Sequence, residues 1–404
     1  MPINISLMSA LKTVLILTLF VISCQSTNKK DENQIMYFDI KELPIISEVK
    51  LSDLGFADIE YIPLETNEHS IISGTNDIIT GNKLIVGPGF YLVKYFKTIL
   101  EFQTDGSFVT RIGTVGRGPK EFLVPHDVKV DEKTHNIYVL AGWQKKFFVY
   151  SETGELIRTF QIPFVSQVFS FFDNEILCYS INHEGNIENS YNLIDTNGKI
   201  LESYPNKFPF NNQNTHAITG ENLFYNFNRQ VFKKEVYSDT VYRYENKVFK
   251  PHLVIQVGNK LITPQARSKF DGLYLAKNYI SPLNLFEFGD YVYYEFVYKF
   301  ALPDDVIIYS FIGSKKNNLK VIFNTGKGII NDLDGGPNIW PKTIQDDNTI
   351  VALVDALKLK THVASEAFKK SKPLYPEKKK ELEKLANSLK ETDNPVLILV
   401  SLKK

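Results

Sequence analysis

Three features of this 404-residue sequence predict an all-β fold built from repeated sheets. A phrase of strand, glycine turn and strand recurs around Gly106, Gly154 and Gly198, at spacings of 48 and 44 residues. Aromatic residues are abundant, with 29 Phe and 21 Tyr, and they favour strands over helices. Asp105-Gly106 between apolar segments is a strong hairpin signal. A period of about 40–50 residues with several strands per unit is typical of a β-propeller blade.

The strand pattern along the chain predicts six blades. Residues 126–160 give the clearest unit, because they contain four strand-like segments, as one blade requires. The other units follow the same order along the chain, over residues 78–102, 168–203, 222–257, 291–323 and from 349 onwards. Residues 263–278 interrupt the pattern, and residues 265–270 after Pro264 predict a short helix or a loop insertion.

The two ends of the chain are expected to meet in one blade. Leu382, Leu385, Ala386 and Leu389 follow the spacing of an amphipathic helix over residues 376–389. The continuous apolar segment 396–402 then predicts a buried strand. We expect this strand to pair with residues 59–64, because pairing removes an exposed sheet edge. The fold prediction is therefore an all-β, six-bladed β-propeller with a short C-terminal helix and N-/C-terminal strand closure.

The N-terminus is predicted to be a targeting signal. Residues 11–22 form an apolar segment with Lys12 near its start, too short to span a bilayer but typical of a signal-peptide core. They end in Ser23-Cys24, which resembles the lipobox of bacterial lipoproteins. The resemblance implies cleavage before Cys24 and acylation of Cys24, for example with palmitate; an ordinary secretory signal is the alternative. The predicted boundaries are 1–23 for the signal peptide, 24–35 for a polar tether and 36–404 for the propeller.

Charge and cysteine content restrict the class of protein. Lys plus Arg equals Asp plus Glu at 46 each, which argues against a nucleic-acid partner. Cys178 lies in an apolar strand and is expected to be a buried core residue. The Lys29–Glu32 segment loosely resembles a surface-export signal of Bacteroidota lipoproteins. We therefore expect a protein held in the cell outer membrane by its lipid, either periplasmic or surface-exposed.

One phrase connects the chain to a known family. Residues 112–122 read Ile-Gly-Thr-Val-Gly-Arg-Gly-Pro-Lys-Glu-Phe. They resemble the G-x-x-G-R-G-P-x-E-F phrase of the six-bladed β-propeller lipoproteins of Bacteroidota, which are similar to NHL-repeat propellers. Residues 238–242 and 393–397 agree with the same family, so the resemblance covers nearly the whole chain. It implies the fold and the lipid anchor, but no established activity.

The same glycine phrase contains candidate ligand-binding residues. Gly113, Gly116 and Gly118 could hold a phosphate through their N–H groups, but that mechanism needs a helix N-terminus after them. A structural turn between two blades is the favoured interpretation. Arg117 and Glu121 could line the mouth of a central channel and bind a ligand, or could pair with each other.

Other candidates are a histidine and an unusual loop. His126 is the best single metal candidate, but no two histidines have a metal-ligand spacing, so we predict no metal and no cofactor. Residues 331–341 form a loop that could bind a sugar or calcium, or could be a rigid inter-blade connection. Its candidate ligand-binding residues are Asp332, Asp334, Asn338 and Trp340. Trp143, the other tryptophan, could stack on a ligand or belong to the core.

The sequence favours binding over catalysis. We expect a binding or scaffold module for a glycan, a peptide or an envelope protein, attached to the membrane by its lipid. The alternatives are a propeller-type hydrolase or lyase acting on glycan or peptide, and a structural partner in an envelope complex. Convergent carboxylates or histidines with shifted pKa values would indicate an enzyme. Aromatic and amide groups would indicate a binder, and an exposed apolar patch would indicate a structural partner.

Overall fold

The computed structural model describes residues 35–42, 48–72, 83–211, 218, 220–300, 307–324 and 327–403. The predicted signal peptide, Cys24, all of the tether but residue 35, and the predicted strand at residues 78–79 lie outside these ranges. Within the described residues, no helix is both long enough and apolar enough to cross a bilayer.

The described strands form six sheets, which we number as blades in chain order. Blade 1 consists of β3 (Lys83–Gly87), β4 (Phe90–Tyr95), β5 (Thr98–Gln103) and β6 (Phe108–Arg111). Blade 2 consists of β7 (Asp127–Val130), β8 (Ile137–Ala141), β9 (Lys146–Tyr150) and β10 (Leu156–Gln161). Blade 3 consists of β11 (Ser166–Phe172), β12 (Glu175–Ser180), β13 (Asn189–Ile194) and β14 (Ile200–Pro205).

The second half of the ring includes the strands from both chain ends. Blade 4 consists of β15 (Asn222–Phe227), β16 (Gln230–Glu235), β17 (Thr240–Glu245), β18 (Val248–Gln256) and the N-terminal β1 (Met36–Asp39). Blade 5 consists of β19 (Ser281–Phe288), β20 (Tyr291–Val297), β21 (Ile308–Ser314) and β22 (Lys320–Asn324). Blade 6 consists of β23 (Thr343–Asp346), β24 (Thr349–Val354), β25 (Val396–Leu402) and β2 (Phe56–Pro63).

The first strand of each blade faces the axis, and these strands close a ring. Each of β3, β7, β11, β15 and β19 contacts the first strand of the next blade, and β23 returns to contact β3. The predicted six-bladed β-propeller is therefore confirmed. Because neighbouring strands are antiparallel, the connection into each first strand and the connection between the second and third strands lie at the same end. We call this the upper end, and the opposite one the lower end.

The predicted strand closure is confirmed. β2 and β25 pair antiparallel, with Ile59 opposite Val400, so both chain ends complete blade 6. The strand predicted at residues 36–40 also forms, but its partner was not predictable: β1 pairs in parallel with β18, with Met36 opposite Leu253. This pairing covers the outer edge of blade 4.

The recurring glycines occupy lower-end turns between the third and fourth strands of blades 1–3. Gly106, Gly154 and Gly198 have φ values of 89°, 78° and 89°, a region that side chains with a Cβ rarely adopt. A Cβ on Gly106 would lie 2.1 Å from the main-chain oxygen of Pro63, and one on Gly198 would lie 2.0 Å from that of Gln161. The repeat in the sequence therefore reflects both turn geometry and close packing against the preceding blade of the ring.

Helices occur in two upper-end connections. The predicted interruption after Pro264 forms α1 (Pro264–Lys269) and α2 (Gly272–Asn278) between blades 4 and 5. Blade 6 inserts α3 (Ala356–Ala364), α4 (Glu366–Lys370) and α5 (Pro376–Ser388) between β24 and β25. Only α5 was predicted among these three. It packs on the outer strand of blade 6, where Lys378 Nζ lies 2.6 Å from Asp58 Oδ1.

The core consists of apolar layers between adjacent blades. Cys178 is fully buried in the layer between blades 2 and 3, as predicted, with Phe147 and Phe169 in the same layer. Burial raises the pKa of its thiol, so Cys178 is a structural residue rather than a reactive one.

Candidate functional site

An axial channel of about 920 Å³ runs between the innermost strands. Every blade contributes polar residues to its wall, among them Lys83, Asp127, Gln167, Asn222, Asn284 and Lys342. A cavity of this volume is within the range of small-molecule sites.

Asp127 connects three blades around this channel. Its buried carboxylate accepts a hydrogen bond from Lys83 Nζ of blade 1 at 2.7 Å and from the Phe169 N–H of blade 3 at 3.1 Å. It also accepts one from the Val128 N–H at 3.0 Å. Burial opposes its ionisation, but the charges of Lys83 and Lys129 and these hydrogen bonds outweigh burial, so the pKa of Asp127 lies below its usual value. Asp127 therefore stays ionised.

Polar bonds also join the remaining pairs of neighbouring blades. They are Ser170 Oγ to Asn226 Oδ1 at 3.1 Å, Tyr225 Oη to Glu287 Oε1 at 2.7 Å, Asn284 Nδ2 to the Lys342 carbonyl at 2.8 Å, and Tyr91 Oη to Gln345 Oε1 at 3.1 Å. Because they satisfy buried polar groups, they hold the blades in a defined register around the axis.

Lysines line the upper part of the channel. We call Lys83, Lys94, Lys129 and Lys342 the channel lysines. Lys94 is only 4% exposed, and burial, together with the charge of Lys83, lowers its pKa to about 8 against the opposing effect of Asp127. Burial also lowers the pKa values of Lys129 and Lys342.

A second cavity, the blade 2–3 groove, has a volume of about 690 Å³. Its described lining comes from the upper ends of blades 2 and 3: Trp143, Pro163, Phe164, Val165, Ser180, Ile181, His183, Glu184, Asn186, Ile187, Glu188, Asn189, Asn192, Ile200 and Ser203. Trp143 is 59% exposed, so it is not a core residue.

The local backbone explains how Trp143 is presented. It lies in a 3₁₀ turn, Gly142–Gln144, between β8 and β9. Gly142 is required there, because a Cβ would lie 1.8 Å from the main-chain oxygen of Ser166 on blade 3. Lys145 ends the turn with a φ of 51°. The indole is therefore held at the upper end, at the junction of two blades.

His126 fixes this turn. The Gly142 N–H lies 3.1 Å from His126 Nδ1, and the Val124 carbonyl oxygen lies 3.2 Å from the same nitrogen, so the neutral ring can accept from the first group or donate to the second. Burial lowers the pKa of His126, which favours this neutral form. The rings of His126 and His183 flank the indole of Trp143, with centroids 6.1 and 5.8 Å away. His126 therefore positions Trp143.

Amide and hydroxyl groups form the floor of the groove. Asn192 Oδ1 accepts a hydrogen bond from Ser203 Oγ at 2.7 Å, and Asn192 Nδ2 donates to Ser180 Oγ at 3.3 Å. Asn186 Nδ2 donates to Glu184 Oε2 at 3.2 Å nearer the opening. Among the described lining residues there is no lysine or arginine, and Glu184 and Glu188 give the groove negative charge.

The two predicted ligand residues of the glycine phrase, Glu121 and Arg117, lie in different environments. Glu121 Oε2 accepts a hydrogen bond from the Gly118 N–H at 2.7 Å, and a Cβ on Gly116 would lie 1.9 Å from that oxygen. Glu121 therefore closes its own loop, in agreement with the structural-turn interpretation. Arg117 is exposed, and the described contacts include no ion pair between Arg117 and Glu121.

The loop at residues 331–341 mainly organises the outside of blade 6. Asp332 accepts hydrogen bonds from both the main-chain N–H and the hydroxyl of Ser52. Asp334 is fully buried, and it accepts bonds from Asn331 Nδ2 at 2.7 Å and from the Gly336 N–H at 2.9 Å. Burial raises the pKa of Asp334. Both carboxylates are thus engaged within the fold.

Asn338 and Trp340 lie in the second half of the same loop. Asn338 Nδ2 donates to the Lys327 carbonyl at 2.5 Å, which closes the loop. Trp340 Nε1 donates to Glu295 Oε2 at 3.1 Å, and Glu295 lines the axial channel. The Lys342 ammonium lies 5.5 Å from the Trp340 ring centre. Of the four predicted loop residues, Trp340 is therefore the one adjacent to a cavity.

The described part of the chain contains no group of three His, Cys, Asp or Glu side chains arranged to hold a metal ion. Nδ1 of His126, the predicted metal candidate, instead lies against main-chain groups of Val124 and of Gly142 in the Trp143 turn.

Sequence reasoning missed the channel lysines and the groove. One signal was available: Lys94 interrupts the otherwise apolar strand Phe90–Tyr95. A lysine inside a buried strand needs a special environment, since lysine is rarely buried. The groove had no comparable signal, because its residues come from four separate segments.

Comparison with known proteins agrees with this architecture. A family model described as a domain of unknown function, DUF4934, matches residues 31–401. A structure from Bacteroides fragilis NCTC 9343, of a protein classed as exported, is similar over 92% of this chain and 100% of that one, with a TM-score of 0.66 and 17% identity. A DUF4221 family member from Bacteroides vulgatus ATCC 8482 is similar over 86% of this chain and 97% of that one, with a TM-score of 0.50 and 11% identity.

No curated protein matches the chain. Both structural neighbours are below 25% identity, so they inform the fold and not the chemistry. The family model covers nearly all of the propeller and part of the predicted tether. This chain therefore belongs to the DUF4934 family, a six-bladed β-propeller family of Bacteroidota.

Proposed function

We propose that this protein is a lipid-anchored binding module of the cell envelope that holds an oligosaccharide in the blade 2–3 groove. The observation that supports this best is Trp143, which is 59% exposed beside a groove lined with amide, hydroxyl and carboxylate groups. A tryptophan combines a large apolar surface with one polar N–H, which suits a sugar ring better than a purely apolar ligand.

The polar groups of the groove match sugar hydroxyls. Asn186 and Asn189 provide both donors and acceptors, and Glu184 and Glu188 provide acceptors. The absence of lysine and arginine from the described lining favours an uncharged ligand over an anionic one. Leu123 and Val124 are also exposed close to this turn, where the Leu123 N–H donates to Gln144 Oε1 at 2.7 Å. A peptide or protein partner would use these apolar side chains as well.

Two carboxylates of the channel, Asp127 and Glu295, favour binding over hydrolysis or elimination. A general acid needs a proton at the working pH, yet the pKa of Asp127 is held below its usual value. Glu295 accepts hydrogen bonds from Tyr293 Oη at 2.7 Å and from the Trp340 indole. Both carboxylates are committed to structural bonds, so the hydrolase or lyase alternative has less support.

The membrane attachment rests on the sequence of the N-terminus. The apolar segment 11–22 and Cys24 match a lipoprotein signal, and the similar Bacteroides fragilis protein is classed as exported. In cells fed an alkyne analogue of palmitate, we expect the wild-type chain to be labelled and to remain with the outer membrane. Cys24→Ser should lose both properties. Labelling that survives this substitution would contradict the anchor.

A glycan and peptide array tests the ligand class. We expect the wild-type protein to bind a neutral oligosaccharide and Trp143→Ala to lose about tenfold in affinity, which corresponds to about 1.4 kcal/mol of lost ring stacking. Tyr37→Ala, which removes another exposed aromatic ring on β1, is the matched control and should bind normally. Arg117→Ala should also bind normally.

Two outcomes would overturn the proposal. Binding of peptides alone would assign the groove to a different ligand class. Oligosaccharide binding that is unaffected by Trp143→Ala but lost in Trp340→Ala would move the site to the axial channel.

A further inference from the structure

We propose that the loop containing the glycine phrase positions the Trp143 indole for ligand binding, with Glu121 and Gln144 as the positioning residues. We call residues 114–124 the glycine loop. This role rests on the function proposed for the blade 2–3 groove, although the loop contributes no residue to the described lining of that groove.

Hydrogen bonds within the glycine loop give it a defined shape. The Phe122 N–H donates to the Thr114 carbonyl at 3.1 Å, and the Gly116 N–H donates to the Phe122 carbonyl at 3.1 Å. Within this closed segment, Glu121 Oε2 accepts a hydrogen bond from the Gly118 N–H at 2.7 Å. The Glu121 carboxylate is therefore part of the support of the loop, and its removal should loosen the whole segment.

A buried phenylalanine anchors the glycine loop to blade 2. Phe122 is 1% exposed, and its ring meets the Phe148 ring of β9 edge to face, with the ring centres 5.7 Å apart. Phe148 is fully buried in the apolar layer between blades 1 and 2. This contact fixes the loop relative to β9, the strand that begins directly after the Trp143 turn.

Gln144 connects the glycine loop to the turn that carries Trp143. Its Oε1 accepts a hydrogen bond from the Leu123 N–H at 2.7 Å, and its Nε2 donates to the Glu121 carbonyl at 3.5 Å. Gln144 thus bonds to the main chain on both sides of Phe122. Because Gln144 follows Trp143 in the same 3₁₀ turn, these bonds hold the turn against the loop.

Two further contacts join the glycine loop to the same turn. Lys146 Nζ, at the start of β9, donates to the Pro119 carbonyl at 2.6 Å. At the end of the loop, the Val124 carbonyl lies 3.2 Å from His126 Nδ1, and the Gly142 N–H lies 3.1 Å from the same nitrogen. The loop therefore supports the turn on both sides of the indole.

An exposed tryptophan needs such support to bind a ligand well. Trp143 is 59% exposed, so packing against the protein restrains only part of its side chain. A side chain that moves freely loses conformational entropy when a ligand immobilises it, and this loss lowers the affinity. The glycine loop reduces the loss, because it fixes the backbone that carries the indole. Glu121 and Gln144 thus act on the ligand through Trp143, without contact of their own.

The fluorescence of Trp143 without ligand tests the positioning role. The chain has two tryptophans, so in a Trp340→Phe background the signal comes from Trp143 alone. Gln144→Met removes both hydrogen bonds of the amide, and we expect it to increase the fast component of the anisotropy decay, which reports side-chain motion on the nanosecond scale. Gln144→Glu keeps an acceptor for the Leu123 N–H and should resemble the parent.

Glu121 offers an independent pair of variants in the same background. Glu121→Ala removes the acceptor for the Gly118 N–H, so it should also increase the fast component. Glu121→Gln keeps a carbonyl acceptor and should resemble the parent. Lys120→Met changes an exposed side chain of the same loop and is the matched control, with no expected effect. A merely structural role would lower the urea midpoint and leave the local motion of Trp143 unchanged.

Binding measurements connect this motion to function. The probes are neutral hexasaccharides of glucose, of mannose and of xylose, titrated into the full chain. For a hexasaccharide that binds, Gln144→Met and Glu121→Ala should each raise the Kd about two- to tenfold, the range that one hydrogen bond contributes. Gln144→Glu and Glu121→Gln should each restore an affinity close to that of wild type.

The two readouts separate failure of the positioning role from failure of the proposed ligand. If no hexasaccharide binds but the anisotropy of Trp143 changes as expected, the positioning role is supported and the proposed ligand class is contradicted. Anisotropy decays equal to the parent's in both Gln144→Met and Glu121→Ala would overturn the positioning role. Wild-type affinity of both variants for a hexasaccharide that binds would overturn it as well.

Discussion

Removing the Asp127 carboxylate should destabilise the propeller more than any comparable change on its surface. Asp127→Ala deletes the acceptor for Lys83 Nζ and for the Phe169 and Val128 N–H groups. The first strands of blades 1, 2 and 3 would then lose their shared connection. The negative charge of Asp127, which raises the pKa of Lys94, would also be lost.

The magnitude follows from burial and from the number of bonds. Asp127 is 1% exposed, so the Phe169 N–H would remain buried without its partner, at a cost of about 1–3 kcal/mol. Breaking a fully buried ion pair costs about 3–5 kcal/mol, but the Lys83 side chain is 39% exposed, and water compensates part of that loss. We therefore expect Asp127→Ala to lower the free energy of unfolding by about 3 kcal/mol.

Urea unfolding followed by tryptophan fluorescence measures this change. Asp173→Asn is the matched control, because Asp173 is an exposed lower-end carboxylate, and it should change the free energy of unfolding by less than about 0.5 kcal/mol. If the free energy of unfolding of Asp127→Ala differs from that of wild type by no more than this control does, the carboxylate does not connect the blades.

The pH dependence provides a second check of the same residue. The pKa of Asp127 is lower in the folded protein than its ordinary value, because the charges of Lys83 and Lys129 and its hydrogen bonds outweigh burial. Its ionisation therefore stabilises the fold at pH values above the unfolded pKa, and this contribution is lost as the pH falls through the folded pKa. The difference in unfolding free energy between wild type and Asp127→Asn should shrink on acidification below about pH 4. A difference that stays constant would contradict the ionised state.

Three further substitutions test the fold. Gly198→Ala should lower the free energy of unfolding by at least about 1 kcal/mol more than Gly89→Ala. Both glycines have a positive φ, but only at Gly198 would the new Cβ clash with a backbone oxygen, so equal midpoints in urea would contradict this. Lys233→Met should lower the free energy of unfolding by about 3–5 kcal/mol in thermal unfolding, since it breaks the buried ion pair with Glu235, and adding Glu235→Gln should restore part of it. In the same assay, Trp340→Phe should lower the free energy of unfolding by about 1–2 kcal/mol, because it removes the hydrogen bond to the buried carboxylate of Glu295.

The repeated architecture could be predicted because its signals are local. A glycine turn such as Asp105-Gly106 needs a positive φ whatever surrounds it, so the recurring glycines already marked the blades. The amphipathic spacing of Leu382 to Leu389 and the apolar segment 396–402 likewise depend on neighbours in the chain. Their confirmation as α5 and β25 follows from that local control.

The sites depended on contacts between distant residues, and only the tertiary structure decided them. The alternation of residues along a strand does not predict that Lys94 and Lys342 line the same channel, because this depends on how the ring of blades closes. The sequence favoured Trp340 over Trp143 as a candidate ligand-binding residue, yet packing exposed Trp143 and bonded Trp340 to Glu295. The sequence by itself determined the blades and their closure, since these follow from backbone conformation and apolar periodicity. Folding decided the chemistry of the axis and of the groove, since burial and charge arise only when separate blades meet.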